Sequence, residues 1–109
     1  HLQVGDVAQA EGFYRDILGL KVMAHYPGAS FMATGGYHHH VAANIWNSRK
    51  AEPRQKNMRG LAGYRLHYND AAAFESTLAS LREKQVPMQQ TVEGWVIRDP
   101  WNIGITLSA

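Results

Sequence analysis

Hydrophobic and polar positions in residues 1–46 follow two spacings, one typical of strands and one typical of helices. Residues 1–4 alternate like a strand, and Asp6 then occupies a helix N-cap position with Gln9 in capping-box spacing. The apolar stripe of the predicted helix consists of Val7, Ala10, Phe13, Tyr14, Ile17 and Leu18. Gly19 ends the helix, and three strand-like runs follow at 20–26, 30–34 and 37–46. The predicted order is βαβββ.

The second half of the chain repeats this order. A strand-like run at 63–68 precedes a second N-cap, Asp70, and a helix that ends near Lys84. Three further strand-like runs follow at 86–89, 94–98 and 103–108. An internal duplication of this kind predicts an α+β fold in which two βαβββ modules form a curved mixed sheet around a cleft, with the helices outside.

The predicted organisation is a single domain spanning residues 1–109. Module 1 covers 1–46, a polar and basic linker covers 47–60, and module 2 covers 61–109. The chain begins at His1, directly in a strand-like run and without an initiating Met. We therefore expect it to be a fragment of a longer protein.

Composition narrows the range of functions. Hydrophobic residues make up 45% of the chain and the formal net charge is only +2, so we expect no nucleic-acid partner. No apolar run approaches the length of a membrane helix, and we expect no membrane association. The absence of cysteine excludes disulfides, thiol nucleophiles and cysteine zinc sites. These features predict a cytoplasmic protein.

The most prominent chemical feature is a run of three histidines at 38–40, inside a predicted strand. Alternation along strands places one set of polar side chains on a face without a helix. This set of candidate pocket-lining residues comprises His1, Gln3, His38, His40, Asn44, Arg65 and His67. The histidines could serve as metal ligands, as pocket donors or as ordinary surface residues. Arg65 would either bind an anionic group of a ligand or fill space as a plug.

Two sets of motifs carry a resemblance to a known family. The runs LQVGD at 2–6 and FYRDILG at 13–19 resemble the opening module of the vicinal oxygen chelate superfamily. That superfamily covers glyoxalase I, bleomycin-resistance proteins and extradiol dioxygenases. The runs GGYHHHVAANIW at 35–46 and RDPW at 98–101 are similar to the second half of bacterial two-domain proteins of the catechol 2,3-dioxygenase type.

The resemblance implies a specific metal chemistry. The family holds one divalent metal, Fe(II) in the dioxygenases, through two histidines and a glutamate. Here the glutamate position falls at Thr106 and the second-module histidine position at Gly63, while the first-module position would precede His1. The resemblance therefore implies no metal, no cofactor and no catalytic residue in this half, with Thr106 as a further pocket-lining residue. Fe(II) or another divalent metal would lie in the rest of the longer protein.

Three functional hypotheses follow. The leading one is a metal-ligand-depleted half of an extradiol dioxygenase-like protein that cleaves catechol-type rings, with a structural or pocket-completing role. Its partners would be a companion dioxygenase-like domain of the same chain and further copies in a homo-oligomer. The second is a divalent-metal dioxygenase or glyoxalase-type enzyme that uses a rearranged cluster of His1, His38 or His40, and His67. The third is a non-catalytic module of bleomycin-resistance type that binds a small aromatic molecule.

Overall fold

The computed structural model describes residues 1–34, 40–53 and 61–109. The chain divides into two compact units, unit 1 at His1–Glu52 and unit 2 at Pro53–Ala109. Each unit contains one helix and one four-stranded mixed sheet. The predicted α+β class and the two βαβββ modules are confirmed.

Unit 1 has the strand order β1-β4-β3-β2. Its two inner strands are therefore β4 and β3, and β1 pairs with β4 in parallel while the other pairs are antiparallel. The elements are β1 (Leu2–Gln3), α1 (Val7–Tyr14), β2 (Lys21–Tyr26), β3 (Ala29–Ala33) and β4 (Val41–Asn44).

Unit 2 reproduces this topology with the strand order β5-β8-β7-β6. The first and last strands of the unit are again parallel neighbours, and the remaining pairs are antiparallel. The elements are β5 (Gly63–His67), α2 (Ala71–Glu83), β6 (Gln89–Thr91), β7 (Gly94–Arg98) and β8 (Gly104–Ser108). Neither helix in the described part of the chain is long and apolar enough to cross a membrane.

Both helices begin at the aspartates that the sequence predicts. The Asp6 carboxylate accepts a hydrogen bond from the backbone N–H of Gln9 at 3.0 Å. The Asp70 carboxylate accepts from the N–H groups of Ala72 and Ala73 at 2.9 and 3.4 Å. Each bond satisfies a donor that the first helical turn leaves without an intrahelical partner.

Each sheet has a face that is covered by the helix of its unit. In unit 1 the buried Ser30 of β3 donates to Glu11 of α1, which places Ser30 and its register partner Ala43 on the helix side. In unit 2 the guanidinium of Arg82 in α2 lies 5.7 Å from the centre of the Trp95 ring, and Trp95 pairs with Leu107. The opposite face of each sheet is called the helix-free face below.

Three predicted elements have bounds that differ from the structure by two or more residues. Helix α1 ends at Tyr14, whereas the sequence predicts that it continues to Gly19, and residues 15–18 form turns. The predicted strand at 37–46 is found only at Val41–Asn44, and residues 35–39 lie outside the described part of the chain. The predicted strand at 86–89 is wrong except at Gln89, because β6 spans Gln89–Thr91. Thr91 pairs with Gly94 across a short turn, so the pairing of β6 is fixed from that end. Pro87 lacks the backbone donor that a paired strand position needs.

Candidate functional site

The helix-free face of unit 1 carries His1 and Gln3, both exposed, as the alternation predicts. The His1 ring packs edge-to-face against Phe31 at 5.8 Å between ring centres, and Phe31 packs likewise against Tyr26 at 5.3 Å. The alternation along the strands did not predict this aromatic cluster. Tyr26 pairs with Ala29, so Phe31 is its diagonal cross-strand neighbour, a relation that the turn at Pro27 would have indicated.

His40 is exposed just before β4, and its contacts hold the backbone of unit 1. Its Nδ1 accepts a hydrogen bond from the backbone N–H of Thr34 at 3.3 Å. The backbone N–H of His40 donates to the carbonyl of Met32 at 2.9 Å. His40 therefore helps to close the connection between β3 and β4. His38 lies outside the described residues.

Asn44 corrects one expectation. The alternation predicts an open position, and its register with Gln3 does place Asn44 on the helix-free face. However, Asn44 is only 6% exposed, and Ala42 on the same face is 1% exposed. The Asn44 side-chain oxygen accepts a hydrogen bond from the backbone N–H of Trp46 at 3.3 Å. An inner strand such as β4 has neighbours on both sides, which the alternation of one strand cannot reveal.

The helix-free face of unit 2 carries Arg65, His67 and Thr106. Arg65 Nη2 forms an ion pair with Glu93 Oε2 at 2.7 Å, and both side chains are more than half exposed. Arg65 lies on β5 and Glu93 lies in the turn between β6 and β7, so the pair reaches across β8. Thr106 on β8 is the register partner of Arg65. His67 Nδ1 lies 3.2 Å from the Ser108 hydroxyl.

Gly63 faces the backbone of its neighbouring strand. A Cβ atom added to Gly63 would stand 2.7 Å from the carbonyl oxygen of Gly104. Real Cβ atoms do not approach backbone oxygens this closely, so any side chain here would force the β5–β8 pair apart. The position therefore lacks both a ligand and the room for one.

The residues of unit 2 do not fit the divalent metal that catalytic members of the resembling family hold. Gly63 offers no donor atom, Thr106 offers only a neutral hydroxyl, and the neighbouring Arg65 carries no acceptor atom that could bind a metal. Within residues 1–34, 40–53 and 61–109, no group of three or more His, Asp or Glu side chains is placed to hold a metal ion. We derive no metal-dependent step for this chain.

A serine, a histidine and a glutamate do meet in unit 1, but not as a catalytic triad. His25 Nε2 lies 2.8 Å from Glu11 Oε2, and the Ser30 hydroxyl donates to the same oxygen at 3.3 Å. A nucleophilic serine would be bonded to the histidine and open to substrate. Ser30 is fully buried and bonded to Glu11 instead. The cluster fastens α1 to the sheet.

The aspartate of the RDPW run is structural. Asp99 is 5% exposed, and its Oδ1 accepts from the backbone N–H groups of Trp101 and Ile103, both at 2.9 Å. The carbonyl of Asp99 accepts from Asn102, which has a φ of +68°. These bonds fix the loop between β7 and β8, and the motif therefore reports on the fold.

Comparisons with known proteins agree with this architecture. A model of the Glyoxalase/Bleomycin resistance protein/Dioxygenase superfamily matches residues 1–105. The chain is 32% identical over 102 residues to the catechol-2,3-dioxygenase of Bacillus subtilis (strain 168). The matched region covers 92% of this chain and 36% of the dioxygenase. It thus spans about a third of the length of that relative.

Two solved structures share the fold at lower identity. Lactoylglutathione lyase from Agrobacterium tumefaciens superposes with a TM-score of 0.66 at 19% identity, covering 99% of this chain and 89% of that one. The trypanothione-dependent glyoxalase I of Leishmania major gives a TM-score of 0.69 at 20% identity, covering 97% and 80%. At these identities the likeness shows the fold alone.

Proposed function

The chain belongs to the Glyoxalase/Bleomycin resistance protein/Dioxygenase superfamily, and from that premise we propose that it is a metal-ligand-depleted half of an extradiol dioxygenase-like protein. Its role is structural or pocket-completing. Ring cleavage, with Fe(II) or another divalent metal, belongs to a companion domain of the same longer chain. The B. subtilis relative, of which this chain covers 36%, supports the existence of such a companion.

The observation that carries the proposal is the close approach of Gly63 to Gly104. A histidine at position 63 would place its Cβ 2.7 Å from the Gly104 carbonyl oxygen. The backbone of unit 2 is therefore adapted to the absence of a side chain at this position.

The Arg65–Glu93 ion pair supports the same proposal. It lies over the part of the helix-free face that includes Thr106, where the resemblance places the third ligand. Arginine has no acceptor atom, so the residue that lies beside the third ligand position offers nothing to a metal ion. The ion pair already engages the Arg65 guanidinium, which disfavours one of its two expected roles, the binding of an anionic group of a ligand.

Metal uptake by the purified chain tests the proposal. The chain is dialysed against Fe(II) without oxygen, against Mn(II) and against Zn(II), and bound metal is measured beside the His38→Ala, His40→Ala double variant. We expect the same background metal in both proteins and no cleavage of catechol by either. Stoichiometric metal in the parent chain that disappears in the double variant would overturn the proposal and favour the enzyme hypothesis.

A further inference from the structure

A cavity of about 510 Å³ opens at one end of the unit 1 sheet, beside Asn44, whose side chain accepts a hydrogen bond from the backbone of Trp46. It lies where the turn between β2 and β3 meets the segment that follows β4. Its lining consists of Pro27, Gly28 and residues 45–49. It is an open depression, since Trp46, Asn47 and Arg49 of its lining are exposed, and its volume is within the range of about 300–1,000 Å³ that is typical of small-molecule sites. We call it the Trp46–Arg49 cavity.

The indole of Trp46 forms a fixed aromatic wall of this cavity. Its Nε1 donates to the Pro27 carbonyl at 3.0 Å. The ring also lies against Gly28, because a Cβ there would be 3.2 Å from Trp46 Cδ1 and 3.2 Å from Ile45 Cγ1. Trp46 is nevertheless 58% exposed. An indole whose N–H is already satisfied and whose surface remains open is available for stacking.

The rest of the wall is held in place by bonds to the core of unit 1. The Ser48 hydroxyl donates to the Val4 carbonyl at 2.7 Å. The backbone N–H of Ile45 donates to the Gly28 carbonyl at 2.9 Å, and the backbone N–H of Lys50 donates to the Gly5 carbonyl at 2.8 Å. A ligand would therefore not have to order this segment, which reduces the entropic cost of binding.

Arg49 provides a positive charge in the lining. It is exposed, and within the part of the chain that the structure describes it forms no ion pair. Glu52 is the sole acidic residue in the sequence 40–53. A guanidinium presents a planar fork of donors that matches a carboxylate. The cavity thus combines a flat aromatic surface with a cation that has no ion-pair partner among residues 1–34, 40–53 and 61–109.

We propose that the Trp46–Arg49 cavity binds a small planar aromatic carboxylate, with the ring stacked on Trp46 and the carboxylate paired with Arg49. Asn47 is a further polar residue of the same lining. This site is independent of the proposed loss of the metal, because none of its residues lies at a family ligand position.

Titration of the chain with benzoate, followed by the indole N–H resonances in two-dimensional NMR, tests the site. Trp46→Phe assigns the Trp46 signal apart from those of Trp95 and Trp101. We expect saturable shifts of the Trp46 signal with benzoate. Benzamide keeps the ring without the charge and acetate keeps the charge without the ring, so we expect each to bind about tenfold more weakly.

Two charge variants provide the matched comparison. Arg49→Gln should weaken benzoate binding about tenfold, which corresponds to the loss of one charge-assisted contact. Lys50 follows Arg49 in the sequence but is not part of the lining. Lys50→Gln removes the same charge there, and it should change the affinity for benzoate by less than about twofold. Equal losses in the two variants, shifts without saturation, or benzamide binding as tightly as benzoate would each overturn the proposal. The benzoate, benzamide and acetate comparison needs no variant.

Discussion

Replacing Gly63 with Ala is the most direct structural test of the closed ligand position. The added Cβ would stand 2.7 Å from the Gly104 carbonyl oxygen, an atom of a paired strand that cannot rotate away. Overpacking of this kind costs about 1–3 kcal/mol. The reduced freedom of the unfolded chain returns about 0.4–1 kcal/mol. The difference between these ranges is about 0–2.6 kcal/mol, and we expect Gly63→Ala to lower the free energy of unfolding by a value near its middle, about 1.3 kcal/mol.

Two other glycines of the same sheet provide graded controls. A Cβ on Gly104 would meet its nearest atom, the Ala62 carbonyl oxygen, at 3.2 Å, so Gly104→Ala should lie within about 0.5 kcal/mol of the parent. Gly94 has a φ of +140° and faces the Leu107 carbonyl oxygen more closely still. Gly94→Ala should lose more than about 3 kcal/mol.

Urea denaturation followed by circular dichroism gives the three values. The slope of free energy against urea should stay unchanged, because the substitutions do not alter the surface exposed on unfolding. The expected order of destabilisation is Gly104→Ala, then Gly63→Ala, then Gly94→Ala. If Gly63→Ala were as stable as Gly104→Ala, the β5–β8 pair could relax to admit a side chain. The steric argument for a permanently closed ligand position would then fail.

Three further predictions concern single side chains. Asp99→Ala should lower the free energy of unfolding by about 3 kcal/mol in urea denaturation, because two buried N–H groups lose a charged acceptor. Asp99→Asn should lose less stability, because the amide oxygen of asparagine still accepts hydrogen bonds. Burial raises the pKa of Tyr68 above its ordinary 10.0 and a hydrogen bond with Thr77 lowers it, so Thr77→Val should raise the pKa further in an ultraviolet titration of the phenol. The stability that the protonated Tyr68 phenol contributes is complete below the pKa of the unfolded state and is lost as pH rises through the pKa of the folded state. A pKa of Tyr68 at or below 10.0 in the folded protein would contradict the predicted direction of the shift. Glu11→Gln should lower the thermal midpoint and the free energy of unfolding, the latter by about 1 kcal/mol, because the Glu11 carboxylate is bonded to both His25 and Ser30. An unchanged midpoint would show that this cluster does not fasten α1.

The features predictable from the sequence are those determined by neighbouring residues. Asp6 and Asp70 were identifiable as caps because a capping side chain bonds to an amide two or three positions later. The alternation that exposes Arg65 and His67 also depends on adjacent positions alone. Local rules of this kind were sufficient to obtain both helices and the duplicated order of elements.

The features that escaped prediction depend on which strands become neighbours. The burial of Asn44 follows from the inner position of β4 in its sheet. The partner of Arg65 is Glu93, which reaches it only because β8 returns between β5 and β7. The bond from Trp46 to the Pro27 carbonyl likewise joins two segments that no periodicity relates. Strand order is a property of the whole module, and one strand pattern does not contain it.

The parallel strand pair in each unit also bears on the order in which the chain folds. Leu2 pairs with Ala43 and Leu66 pairs with Leu107, so in both units these partners lie 41 positions apart. Loop-closure entropy depends on the number of residues enclosed, and the two units therefore pay the same entropic penalty to bring these strands together. The hairpin between β6 and β7 closes over far fewer residues. We expect β1 and β5 to be the last strands to join their sheets, with matched barriers in the two halves of the duplication.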